Sequence, residues 1–153
     1  MNKTNVRTVA HTIGLAGLVL GAAVGCGAGT EELSSTELAS EMNLICADNG
    51  EKFEEIGHPE NLEEIALMTP KMIEVFDSTL SKLDQLDAGN HASADVEEFV
   101  ALGRQQSELM GRLQVAAASG DGADLDAVVG EMGAVAERSD AIASTLGATE
   151  CVG

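Results

Sequence analysis

The chain has 153 residues, enough for one modest domain, with 26 acidic against eight basic side chains and a formal net charge of −18. Such a surface repels nucleic-acid phosphates and anionic lipid headgroups. With no Trp or Tyr and only Phe53, Phe76 and Phe99, it has little to stack on bases or sugar rings, so no nucleic-acid partner is expected. A cationic partner or loosely held Ca²⁺ or Mg²⁺ suits the charge; so does solubility alone.

In chain order, Lys3 and Arg7 come first, with no acid among them, followed by an apolar run from Ile13 to Val24. A positive flank, a short apolar core and small residues before a boundary are the anatomy of a secretory signal. The run, roughly 12 residues, is too short for a hydrocarbon core that needs about 20 helical residues. Residues 1–25 are therefore expected to be an export signal outside the fold. The boundary, Ala23-Val24-Gly25-Cys26, resembles the lipobox of bacterial lipoproteins, although that family's commonest residue three before the cysteine is Leu and here it is Ala23. The resemblance implies a diacylglyceryl group on Cys26 and cleavage that leaves Cys26 first. Residues 26–33 would then be a short tether to the outer face of the bacterial cell membrane. The alternative is ordinary signal-peptidase cleavage nearby, with Cys26 free or discarded and the protein secreted.

Three cysteines are an odd number for an oxidising compartment, where a leftover thiol needs an explanation. Acylation of Cys26 leaves Cys46 and Cys151 as one pair. Closing a loop of about 100 residues contributes roughly 4–5 kcal/mol in the chain-entropy model. The other reading of Cys46 and Cys151 is two buried free thiols.

From residue 34 onward the pattern predicts four helices and no strand. Ser34 to Glu37 fits a capping box. Leu38, Met42, Ile45, Cys46, Phe53 and Ile56 then recur at three-to-four spacing until Gly57-His58-Pro59 breaks the run. Asn61 and Glu64 open a second helix with Leu62, Ile65, Met72, Phe76, Leu80, Leu83 and Leu86 inside. Pro70 is expected to kink it, since the apolar register continues across the proline. Ala88-Gly89-Asn90-His91 reads as the next turn. A third helix is expected from Ser93 or Asp95 to Ala118, with Val96, Phe99, Gly103, Gln106, Met110, Leu113 and Ala117 inside. After Ser119-Gly120-Asp121-Gly122 a fourth carries Leu125, Val128, Met132, Val135, Ser139, Ile142 and Leu146, and Gly147 suits its C-terminus.

Sustained spacing of this kind with short turns predicts an all-α, up-down antiparallel four-helix bundle over residues 34–153, closed by one disulfide. In that topology the fourth helix ends where the first begins. Cys46 lies roughly 16 Å along the first helix, a distance that the segment from Gly147 to Cys151 spans only if it is extended. The tail is therefore expected to turn after Gly147 and lie back along the first helix.

The cysteine within the first helix (Leu44-Ile45-Cys46-Ala47), the proline-interrupted second helix and the closing Leu146-Gly147-Ala148-Thr149-Glu150-Cys151 resemble a group of small exported actinobacterial helical-bundle proteins. The resemblance covers most of residues 34–153, rests on a loose pattern, and implies a fold without an activity.

Catalytic and metal chemistry finds no constellation. His11 leaves with the signal, and His58 and His91 stand at opposite ends of the second helix, roughly 40 Å apart. Asp121, Asp124 and Asp126 lack the closing Glu of a calcium loop and suit a helix N-terminus. Serines such as Ser107 and Ser139 have no base beside them. No enzyme and no cofactor are expected.

One core feature stands out. Gly103, Gln106, Gly111, Gly130, Gly133 and Ser139 crowd the third and fourth helices. They either let the helices approach closely or leave a gap lined by Gly103, Gln106, Met110 and Met132 for a small apolar ligand. The expected function is a non-catalytic, lipid-anchored protein that binds an extracytoplasmic protein or envelope partner; the alternative is a carrier of small apolar ligands in the bundle interior.

Overall fold

The computed structural model describes residues 32–153. The expected signal at 1–25, the acylation site Cys26 and the tether up to residue 31 lie outside the described residues. The helices are α1 (Ser35–Ile56), α2 (Leu62–Leu83), α3 (Gly89–Ser119) and α4 (Gly122–Leu146), followed by a 3₁₀ turn, Thr149–Cys151. Together they form an up-down four-helix bundle closed by a Cys46–Cys151 disulfide, and no strand occurs among the described residues.

Local chemistry sets the helix ends. The Ser34 backbone N–H donates to Glu37 Oε2 at 3.0 Å and the Glu37 N–H returns to Ser34 Oγ, which completes the expected capping box. Bonding to the Ser34 hydroxyl and backbone holds the Glu37 carboxyl below its usual range. Asn61 caps α2 by accepting from the Glu64 N–H, and Asp121 caps α4 by accepting from Ala123 and Asp124. Gly147 ends α4 in the left-handed conformation (φ 75°), where its N–H reaches the last carbonyls.

The start of α3 differs from expectation. Residues 89–91 are helical, and α3 begins at Gly89 instead of Ser93 or Asp95; the turn is made by residues 84–88. Asp87 Oδ1 accepts the Gly89 N–H at 3.3 Å, occupying the first free amide of the helix, while the N-cap residue Ala88 contributes no side-chain cap. The Leu33 N–H also bonds Asp87 O at 2.9 Å, tying the start of the bundle to this turn. Pro70 lies inside a helix that runs through it, as the continuous apolar register implied. Proline offers no N–H to the carbonyl of Ala66, and the Gln114 side chain of α3 donates to that oxygen at 3.2 Å.

The core has two parts. Near the start of α1, Leu38, Met42, Leu80, Leu83, Phe99 and Val100 pack with Ala143. Further along, Leu102, Leu109, Val128 and Val135 join α3 to α4, and Ile142 touches both groups. Each fully buried side chain of this size contributes roughly 1.5–3 kcal/mol. Gly103 lets α2 and α3 close on each other, because a Cβ there would run into the Leu80 side chain. Gly130 and Gly133 do not share that role. They are exposed, with no neighbour near a Cβ position, because Val128 and Val135 turn the opposite face of α4 inward.

Ion pairs lace the outside. Asp48 of α1 accepts from Lys52 at 2.8 Å and from Lys82 of α2 at 2.7 Å, which draws its pKa down to about 2. Arg112 forks onto Glu131 at 2.6 and 3.1 Å, and Arg138 reaches Glu98 at 3.1 Å, both joining α3 to α4.

Candidate functional site

The bundle is not equally tight on all sides. Each helix packs extensively on the next in sequence, whereas α1 and α4 touch each other little. The C-terminal tail fills that seam at one end. After Gly147 the chain folds back along α1, as its reach required. Asn43 Nδ2 donates to Gly147 O at 3.2 Å, its Oδ1 accepts from the Glu150 N–H at 2.8 Å, and Cys151 bonds Cys46 with Cα atoms 5.1 Å apart. The Gly153 N–H then reaches Asp140 Oδ1 of α4 at 3.2 Å, so the tail bridges both helices. Asn43 was not singled out in the sequence; a polar residue one turn before Cys46 was the only signal available.

Beyond the tail the seam stays open as a slot floored by α2 and α3. A cavity of about 270 Å³ lies against the tail, walled by Cys46, Asn49 and Gly50 of α1 and by Val135, Ser139 and Asp140 of α4; Phe76, Leu80, Phe99 and Gly103 form its floor. A second cavity of about 460 Å³ continues toward the far end, bordered by Phe53, Pro59, Ile65, Met72, Met110, Leu113 and Met132. Asn49, Phe76 and Gln106 border both, so the cavities meet at a waist with two side-chain amides in it.

The waist carries an unusual polar group. The Thr79 hydroxyl lies within bonding distance of Asn49 Oδ1 at 2.9 Å. Gln106 Oε1, by contrast, is fully shielded from solvent and has no hydrogen-bond partner in the protein. A buried acceptor left unpaired costs about 1–3 kcal/mol. No Lys, Arg or His lines either cavity, while Asp140 and Glu150 stand at the tail end.

Of the residues expected to line a ligand gap, Gln106, Met110 and Met132 come together on the larger cavity. Gly103 borders the smaller one, where Leu80 also fills the space beside it. Sequence periodicity placed the gap between α3 and α4. It lies instead between α1 and α4, because Val128 and Val135 seal the α3–α4 contact. Asn49, Gly50 and Phe53 of α1 were missed as lining; their i, i+1 and i+4 spacing on the apolar side of α1 is the signal they carried.

His58 pairs with Glu54 at 3.5 Å on the surface, and His91 lies in the first turn of α3, so the bundle does not bring the two histidines together. Among the described residues no three His, Cys, Asp or Glu side chains are placed to share a metal ion, and no helix is long and apolar enough to cross a membrane. Comparison with protein-family models, curated proteins and solved structures finds no match to this chain.

Proposed function

We propose that the chain is an exported, non-catalytic binding protein, held on the outer face of a bacterial cell membrane by acyl groups on Cys26 and acting on a partner in the envelope. The observation that carries this reading is the Cys46–Cys151 disulfide. Disulfides persist in oxidising, extracytoplasmic compartments, and the pairing leaves Cys26 as the odd cysteine, directly after a signal-like segment. Two acyl chains anchor firmly where one is marginal, at about 0.8 kcal/mol per buried CH₂. Growth on radiolabelled palmitate is expected to label the protein, and Cys26→Ser is expected to abolish the label. Equal labelling of both would remove the anchor.

A second reading, a carrier for a small apolar molecule, is favoured by the slot between α1 and α4 and its cavities of about 270 and 460 Å³. Such volumes approach or reach the range of small-molecule sites.

A further inference from the structure

We propose that the slot binds an elongated apolar molecule with a positively charged amine at one end. The amine lies at Asp140, and the apolar body runs through the waist into the larger cavity. The inference rests on the carrier reading and specifies its ligand.

Shape comes first. The two cavities share Asn49, Phe76 and Gln106, so one molecule longer than it is wide occupies both. Along α3 the lining runs from Phe99 to Leu113, about 20 Å by helix rise. The larger cavity is bordered mostly by hydrocarbon, thioether and aromatic ring and by no charged side chain, which suits an apolar body.

Charge is confined to the other end. Asp140 and Glu150 are the charged residues that border either cavity, and both stand by the tail. A hydrogen bond fixes where the Asp140 side chain points. Its Oδ1 accepts the Gly153 N–H at 3.2 Å, and Gly153 borders the same smaller cavity. The tail that carries Gly153 is bonded to α1 through Cys151, so the carboxylate reaches out of α4 toward the seam. Asp140 is half-buried. Lys52, Lys82, Arg104, Arg112 and Arg138 pair with other carboxylates, and among the described residues no Lys or Arg pairs with Asp140 or Glu150. A half-buried carboxylate without a cation, at the end of an apolar cavity, is the complement of an alkylammonium ion. The ammonium makes charge-assisted hydrogen bonds at the rim while its chain leaves water. An anionic head meets two carboxylates there, and drawn further in it stays unpaired at high cost.

The test uses dodecylamine, dodecanol and dodecyl sulfate, each below its micelle-forming concentration. The protein is the whole chain carrying Cys26→Ser, with its disulfide formed and its methionine methyl groups isotopically labelled. Dodecylamine is expected to bind saturably, one per chain, and at least about tenfold more tightly than dodecyl sulfate. Binding is expected to shift the methyl resonances of Met72, Met110 and Met132, which border the larger cavity, and to leave that of Met68, which borders neither, in place. Asp140→Asn keeps an acceptor for the Gly153 N–H and removes the charge. It is expected to weaken dodecylamine about 2- to 5-fold and leave dodecanol unchanged. The comparison of head groups on the parent protein stands whether or not that variant folds. Three results overturn the proposal: sulfate binding as tight as the amine, amine binding indifferent to Asp140→Asn, or amine binding that leaves the three methyl resonances unmoved. If dodecanol still moves those resonances, the carrier reading survives that failure. Absence of saturable binding by every probe, or self-association that excludes them, removes both.

Discussion

The Gln114–Ala66 contact makes a quantitative claim about how α2 tolerates its proline. Pro70 leaves the Ala66 carbonyl without its intrahelical donor, and the Gln114 Nε2–O distance of 3.2 Å marks the replacement. A hydrogen bond of this kind contributes about 0.5–1.5 kcal/mol, and a carbonyl stripped of its partner in a half-buried setting costs toward the upper end of that range. Gln114→Ala is therefore expected to destabilise the bundle by about 1–1.5 kcal/mol, a fall in Tm of roughly 3–6 °C for a domain of this size. In a Pro70→Ala background the backbone N–H at position 70 satisfies Ala66 itself, and the same glutamine substitution is expected to cost under about 0.5 kcal/mol. Urea denaturation of the four proteins in a double-mutant cycle isolates this coupling of about 1 kcal/mol. An equal cost of Gln114→Ala in both backgrounds would refute the reasoning and reduce Gln114 to surface packing.

Three more outcomes follow from the same geometry. Cys151→Ser is expected to cost roughly 4–5 kcal/mol, since the disulfide closes residues separated by 105 positions; reductant should lower the urea midpoint of the parent similarly and leave the variant unchanged. Gly103→Ala is expected to destabilise by about 1–3 kcal/mol because its Cβ meets Leu80. Gly130→Ala, which meets nothing, is expected to stabilise by about 0.5–1 kcal/mol, and calorimetry on the pair reads the opposite signs. Finally, the Asp48 carboxyl titrates near 2 in the folded chain, below its unfolded value of about 3.9, so its stabilisation is fully present above about pH 4 and lost as pH falls through 2. The stability difference between the parent and Asp48→Asn should shrink across that interval; a difference constant from pH 5 to pH 2 would contradict the Lys52 and Lys82 geometry.

Much of the bundle was legible because its signals are local or periodic. The Ser34–Glu37 box and Gly147 each act within one turn, and the inner faces follow from spacing alone. The fold-back of the tail was legible because chain reach and helix rise leave one solution. The start of α3 was not: its N-cap, Ala88, has no capping side chain, Asp87 reaches only the Gly89 N–H, and Gly89-Asn90-His91 have weak intrinsic helix preference. The rescue of Pro70 by Gln114 joins residues 48 positions apart, and nothing in the neighbourhood of either announces it. The slot was half legible. Gln106, Met110 and Met132 stood out by spacing, but which helix pair stays apart depends on side-chain volumes along two seams, and the large residues at 128 and 135 decided it.

The covalent bond between positions 46 and 151 also dictates a sequence of events. Three helices and the turns between them separate the two sulfurs, so a chain delivered N-terminus first presents Cys46 long before its mate arrives. During that interval Cys46 has no mate, and under the proposed export its thiolate can attack any disulfide it meets, forming a mixed disulfide and releasing the other sulfur as a thiol. Under that same proposal, correct pairing requires either that the early sulfur be sheltered or that mixed disulfides be exchanged away once Cys151 arrives.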